Sequence, residues 1–194
     1  MSIIKVNFRK SLEEYVFQLH NIIPANICKQ AIDESKKINW EENTFYDNKT
    51  GKQINRSGKN ELQMSHDDFP SSKLIMEKVH EGVTQYLKYL NYPWFGIKYI
   101  TEIRFNKYFE NNEMAVHCDH IHSMFDGEKK GIPILSIVGV LNEDFVGGEF
   151  IMFNNYEIKF KQGDIIIFPS NFMFPHKVKP VTQGIRYSFV NWAC

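Results

Sequence analysis

The stretch "HKVKPVTQGIRYSF", His176–Phe189, holds two short apolar runs separated by the punctuation of Pro180 and Gly184. Arg186 stands ten positions after His176 (186 − 176 = 10), among apolar and aromatic residues that would otherwise be core. Burying a guanidinium is costly unless an anion meets it, and its planar fork suits a carboxylate held by paired hydrogen bonds. Ser188 falls on the same strand face and adds a hydroxyl. The stretch therefore predicts β-structure with an acid-binding interior.

Working outward, every segment beyond Pro93 has strand character: "GIKYITEIRFNKYF", "PILSIVGVLN", "GEFIMFN", "YEIKFKQ", "DIIIFP" and "IRYSFVNWA". They are separated by "NN", "DG", "GG", "QGD" and "QG", the residues of tight turns. An aromatic share of 14%, including 16 Phe, favours such a strand-rich interior. Upstream, helical periodicity runs from Pro24 to Lys37, starting at Pro24 or Asn26, and from Ser71 to Leu90, with Ser71 or Ser72 as cap. The polar segment 41–66 between them predicts loops around short strands, either a solvated excursion or a substrate lid. We expect one domain over 1–194: a helical and loop portion, 1–95, packed on a β core, 96–194.

Charge is balanced at 23 Lys plus Arg against 23 Asp plus Glu, so no global field favours nucleic acid or an anionic membrane. No apolar run approaches the ~20 residues of a spanning helix. Three cysteines, without a CxxC pair, indicate neither a disulfide framework nor a thiolate zinc site. These features predict a soluble, cytoplasmic protein.

The segment "VHCDHIHS", Val116–Ser123, carries three of the seven histidines. Strand alternation puts His117 and Asp119 on one face and His120 and His122 on the other, so two rival pairs are open to a metal. Of the remaining histidines His176 is the best third ligand, because it follows a strand and a loop. Two histidines and one carboxylate form the facial triad typical of non-haem Fe(II) oxygenases.

At these residues the chain resembles the 2-oxoglutarate and Fe(II)-dependent oxygenases, in particular their prolyl 4-hydroxylase-like branch. "YFENNEMAVHCD" places Tyr108, Met114, His117 and Asp119 in the family's register, with Asn111 for its usual glycine. "SIVGVLN" has Val140 where the family carries a cosubstrate-binding tyrosine, and "GGEF", "QGDIIIFP" and "HKVKPVTQGIRYSF" complete the order. The segments "IIPANICKQAIDES" and "INRSG" are looser matches, the latter placing Arg56 near the family's substrate loop.

The resemblance implies a mainly β fold with flanking α-helices and a double-stranded β-helix (jelly-roll, cupin-like) core. It implies Fe(II) held by His117, Asp119 and His176, and 2-oxoglutarate bound by Arg186 with Tyr108 and Ser188. O2 would be the second cosubstrate and ascorbate an accompanying reductant. The expected reaction is hydroxylation, of a prolyl residue in a peptide or protein or of a free amino acid or other small molecule, releasing succinate and CO2. The competing readings are a cupin-like metal-binding module using His120, His122 and His176, and a catalytically silent relative.

Overall fold

Strands whose residues are apolar without alternation must be covered on both faces, and the centre of this fold is built that way. The computed structural model describes residues 11–47, 52–54, 61–92, 96–119 and 133–194. Its major sheet has seven strands, which in spatial order are β1 (Phe17–Leu19), β12 (Ile165–Pro169), β8 (Leu135–Val140), β15 (Arg186–Ala193), β6 (Arg104–Tyr108), β5 (Gln63–Ser65) and β2 (Glu41–Glu42). A four-stranded sheet runs β11 (Tyr156–Ile158), β10 (Phe150–Met152), β13 (His176–Val178) and β7 (Met114–His117). Two pairs complete the described strands: β9 (Phe145–Gly147) with β14 (Val181–Gly184), and β3 (Phe45–Asp47) with β4 (Lys52–Ile54). All pairings between these strands are antiparallel. This is the expected mainly β jelly-roll architecture with flanking helices.

Alternate residues of the major sheet enter two different cores. Leu135, Ile137, Ile165, Ile167 and Phe189 pack with Ile75, Val79, Val83 and Tyr86 of helix α2 (Pro70–Leu90). Val138, Ile166, Phe168 and Val190 point the other way, to Phe150, Met152 and Val178 of the smaller sheet. The site lies in this second interior, between the sheets, and the helices brace the sheet from behind.

Helix α1 is Ala25–Ser35, with Pro24 at its N-cap as expected. Helix α2 starts one residue earlier than predicted, and neither serine is its N-cap: Phe69 takes that place and Pro70 opens the helix. Ser72 accepts the Phe69 N–H at 3.2 Å. Ser71 instead donates its N–H and hydroxyl to Glu34 Oε2, at 3.0 and 2.6 Å, joining the two helices. Strand β1 lacked a sequence signal; it is held by its pairing to β12 and by buried Asp164, which accepts Asn21 N–H at 2.9 Å and Gln18 Nε2–H at 3.0 Å. No helix among the described residues is long and apolar enough to cross a membrane.

Gly139, in the middle of β8, lies under the Phe189 ring: an added Cβ would stand 2.2 Å from Phe189 Cε1. Phe189 is fully buried and has nowhere to retreat. Gly139→Ala is expected to destabilise the fold by about 1–3 kcal/mol, the usual range for overpacking. An unchanged melting temperature would show that the ring can move aside.

Candidate active site

Strands β7 and β13 pair so that His117 and His176 stand directly opposite, with ring centroids 4.3 Å apart. Asp119 follows two residues after the end of β7 and turns back to them. Its Oδ1 lies 3.4 Å from His117 Nε2 and 3.7 Å from His176 Nε2. One ligand atom from each of the three residues falls within 4.8 Å of the others. Of the rival pairs, the described structure brings His117 and Asp119 to His176; His120 and His122 lie outside the described residues.

The surroundings orient these atoms for a cation. His117 Nδ1 is 2.8 Å from the Ala115 carbonyl and His176 Nδ1 is 3.1 Å from that of Phe174. A carbonyl only accepts, so both Nδ1 atoms carry the proton and both Nε2 atoms offer lone pairs. Ser136 donates its hydroxyl to Asp119 Oδ2 at 2.5 Å and, its proton being committed, accepts that of Ser170 at 2.8 Å. The other carboxylate oxygen, Oδ1, is left facing the two rings. Two lone pairs and an anionic oxygen thus converge without a proton between them, an arrangement that a divalent metal relieves. Ser136 was not singled out in the sequence, because nothing in "ILSIV" separates a hydroxyl behind a ligand from one in a turn.

Burial alone would push the Asp119 carboxyl up, but His176, His117 and the Ser136 hydroxyl outweigh it and hold the group well below the usual carboxylate range. Burial, reinforced by His117, pushes the His176 imidazole down to about 4, so the ring is neutral near neutral pH. Metal binding requires these forms, an ionised carboxylate and a neutral imidazole.

Arg186 faces the same cavity from β15 and is 1% exposed. Its Nη1 donates to Ser188 Oγ at 2.7 Å, and its Cζ lies 5.0 Å from the centre of the Tyr108 ring, its register partner on β6. A hydroxyl and a ring face leave the guanidinium without an anion among these contacts. Gly148 makes room for it: at φ +64 in the left-handed region, an added Cβ would lie 3.0 Å from Arg186 Cδ. Asn111 also takes the left-handed conformation, at φ 67, as its replacement of a glycine predicts.

All of the predicted site residues that the structure describes therefore line one cavity: His117, Asp119, His176, Arg186, Ser188 and Tyr108. Arg56 lies outside the described residues. Cys118 is partly exposed, and Arg104 stacks on the Trp192 ring with Cζ 5.2 Å from its centre. Arg104 itself lines the cavity. The signal for it was the alternation of Arg104, Asn106 and Tyr108 on one face of "RFNKY".

Comparison with known proteins agrees with this geometry. The sequence profile of the 2OG-Fe(II) oxygenase superfamily matches residues 103–194. A PKHD-type hydroxylase of Xylella fastidiosa (strain M12) is 33% identical over 106 residues, covering 46% of this chain and 42% of that protein. The matched part is thus less than half of that relative's length. Among solved structures, a Pseudomonas putida prolyl-4-hydroxylase superposes with a TM-score of 0.66 at 17% identity, over 92% of this chain and 91% of that one. A Trichoplax adhaerens prolyl hydroxylase, solved with a hypoxia inducible factor peptide fragment, gives 0.70 at 14% identity, over 93% and 83%.

Proposed function

We propose that this chain, whose residues 103–194 match the profile of the 2OG-Fe(II) oxygenase superfamily and whose fold resembles that of prolyl 4-hydroxylases, is a hydroxylase acting on a peptidyl residue, proline first among them. The observation that carries this reading is the pairing, in one cavity, of a three-donor metal site with a buried arginine that makes no ion pair among the described residues. His117, Asp119 and His176 would hold Fe(II), and Arg186, with Ser188 and Tyr108 beside it, would hold the far carboxylate of 2-oxoglutarate. When bound, iron and 2-oxoglutarate supply the oxidation of a substrate C–H bond by O2, with succinate and CO2 released.

The chain's own part is orientation and exclusion. Ser136 holds Asp119 Oδ2 and leaves Oδ1 as the oxygen that would face a metal, and the two backbone carbonyls leave Nε2 of each histidine as the nitrogen that would do so. The closed end at Arg186 keeps water from the cosubstrate carboxylate and strengthens the pairing. Val140, buried opposite Ser188, offers no hydroxyl where the family's tyrosine would stand, leaving Ser188 and Tyr108 as the polar neighbours of Arg186. The peptide component of the proposal is supported by the peptide held by the Trichoplax neighbour. We read residues 1–194 as one working unit, with α1 and α2 stiffening the sheet that carries Arg186.

The test is an anaerobic titration with Fe(II) and then 2-oxoglutarate, followed by visible absorption. A charge-transfer band that saturates with 2-oxoglutarate is the expected result. Bound metal without such a band would reject an oxygenase in favour of a plain metal-binding module.

A further inference from the structure

The cavity contains a second arginine that the proposed iron and 2-oxoglutarate sites do not use. Arg104 lies on β6, on the face shared by Asn106 and Tyr108, and lines the cavity together with the metal triad. Its Nε–H is buried and meets no acceptor among the described residues. The Trp192 ring on which it stacks has the same defect: indole Nε1–H is buried without a partner among them. Buried donors are almost always paired, and leaving one unpaired is costly. Two such N–H groups on stacked side chains, one of them fully charged, form a place where an acceptor is missing.

The acceptors lining this cavity do not serve the Arg104 Nε–H: Asn106 Oδ1, on the same face, is buried without a hydrogen bond among the described residues, and Asp119 is committed elsewhere. Asp119 has one oxygen on Ser136 and the other toward the two histidines. The 2-oxoglutarate carboxylate also belongs elsewhere. Arg186 is in register with Tyr108, whereas Arg104 is in register with Val190, four residues further along the same ladder. At the strand rise this separates the two backbone positions by roughly 13 Å. The Arg186 end is sealed, while the Arg104 end is partly exposed, as is His117 at 27% of its side chain. In the proposed arrangement the cosubstrate fills the sealed end, and Arg104 faces the part of the cavity left to the substrate.

Resting on the proposed hydroxylase reading, we propose that Arg104 and Trp192 form the binding site for a carboxylate of the primary substrate. The guanidinium fork and the indole N–H supply donors to its oxygens, and the ring holds the guanidinium plane in place. The substrate is therefore an acid: a free amino acid, or a peptide presenting a carboxylate next to the residue that is oxidised. A neutral internal peptide segment leaves both donors unpaired.

Matched probes test this: N-acetyl amino acids, N-acetylproline included, against their methylamides, which keep the shape and lose the charge. Calorimetric titrations use the full chain, wild type and Arg104→Gln, both metal-free and loaded anaerobically with Mn(II) and 2-oxoglutarate. The wild type is expected to bind acids at least about tenfold more tightly than amides, a difference typical of a charge-assisted pair. Arg104→Gln should abolish the preference by weakening the acids alone. Trp192→Phe, which keeps a platform and removes the N–H, should lose a smaller part of it; melting temperatures report whether either variant is folded. Repeating the acids as free amino acids and as C-terminal residues of tripeptides identifies the source, and tighter binding in either form supports the site.

Equal affinity for acids and amides in the wild type overturns the proposal, as does an acid preference that survives Arg104→Gln. So does a variant whose affinity for 2-oxoglutarate falls as far as that for the acids, because Arg104 would then serve the cosubstrate. Failure of the hydroxylase reading is seen separately, as the missing charge-transfer band of the iron-loaded protein before any acid is added.

Discussion

Asp119→Asn is expected to lower Fe(II) affinity and 2-oxoglutarate turnover by about a thousandfold or more, the equivalent of the several kcal/mol a ligating charge supplies. The substitution preserves size and can still accept the Ser136 hydroxyl on one side. On the other side it presents an uncharged amide to two imidazole nitrogens that now lie 3.4 and 3.7 Å from an anionic oxygen. Nothing else among the described residues brings a carboxylate to that triad. Metal competition titration and succinate release measure the effect. Retention of both within about tenfold of wild type, a loss of no more than one decade in affinity, would mean that the carboxylate is not a ligand.

Arg186→Met carries the second large effect, and it has opposite signs for binding and for stability. Truncating one partner of a buried charged pair costs about 2–5 kcal/mol, so affinity for 2-oxoglutarate should fall roughly thirtyfold to several thousandfold. Without ligand, however, the guanidinium is a buried cation against a hydroxyl and a ring, and burial pushes its proton affinity down. Replacing such a group with a hydrophobic side chain of similar length is commonly neutral or stabilising. The ligand-free variant should therefore melt at the wild-type temperature or above it, while losing the rise in melting temperature that 2-oxoglutarate gives the wild type. A variant that melts lower and still binds 2-oxoglutarate would make Arg186 structural.

These expectations come from residues whose meaning was readable in the chain, and the reasons differ from element to element. Arg186 was conspicuous because a cation in "IRYSFVNWA" breaks an apolar run, and the structure places it at the sealed end of the cavity. The apolar runs "PILSIVGVLN" and "DIIIFP" announced strands, and the two cores that cover both faces of β8 and β12 explain why those runs do not alternate. His117 and Asp119 could not be separated from His120 and His122 by alternation alone; only the pairing of β7 with β13 brings His176 across from His117. Strand β1 has no signature because three residues hold no periodicity, and its place depends on a partner about 150 residues away in the chain. Arg104 is inconspicuous because a charged residue near the start of a strand usually reaches water. What marks it as different is an Nε–H without an acceptor among the described residues and the ring beneath it, properties of tertiary contact that spacing does not encode.

Strand order also has a bearing on how the protein is made. The late strand β15 lies inside the major sheet, between β8 and β6, with neither of those strands paired to the other. During synthesis, a nascent chain that has emerged only as far as β14 presents two unpaired strand edges, those of β8 and β6, with a gap between them. Such edges are where chains join to one another. Closing the gap requires long-range pairing, the slow kind, so the interval before β15 docks should be the stage most exposed to aggregation and to chaperone capture. The same strand brings Arg186, so the cation proposed to recognise the cosubstrate arrives with the piece that closes the sheet, and a chain stalled before it gains neither.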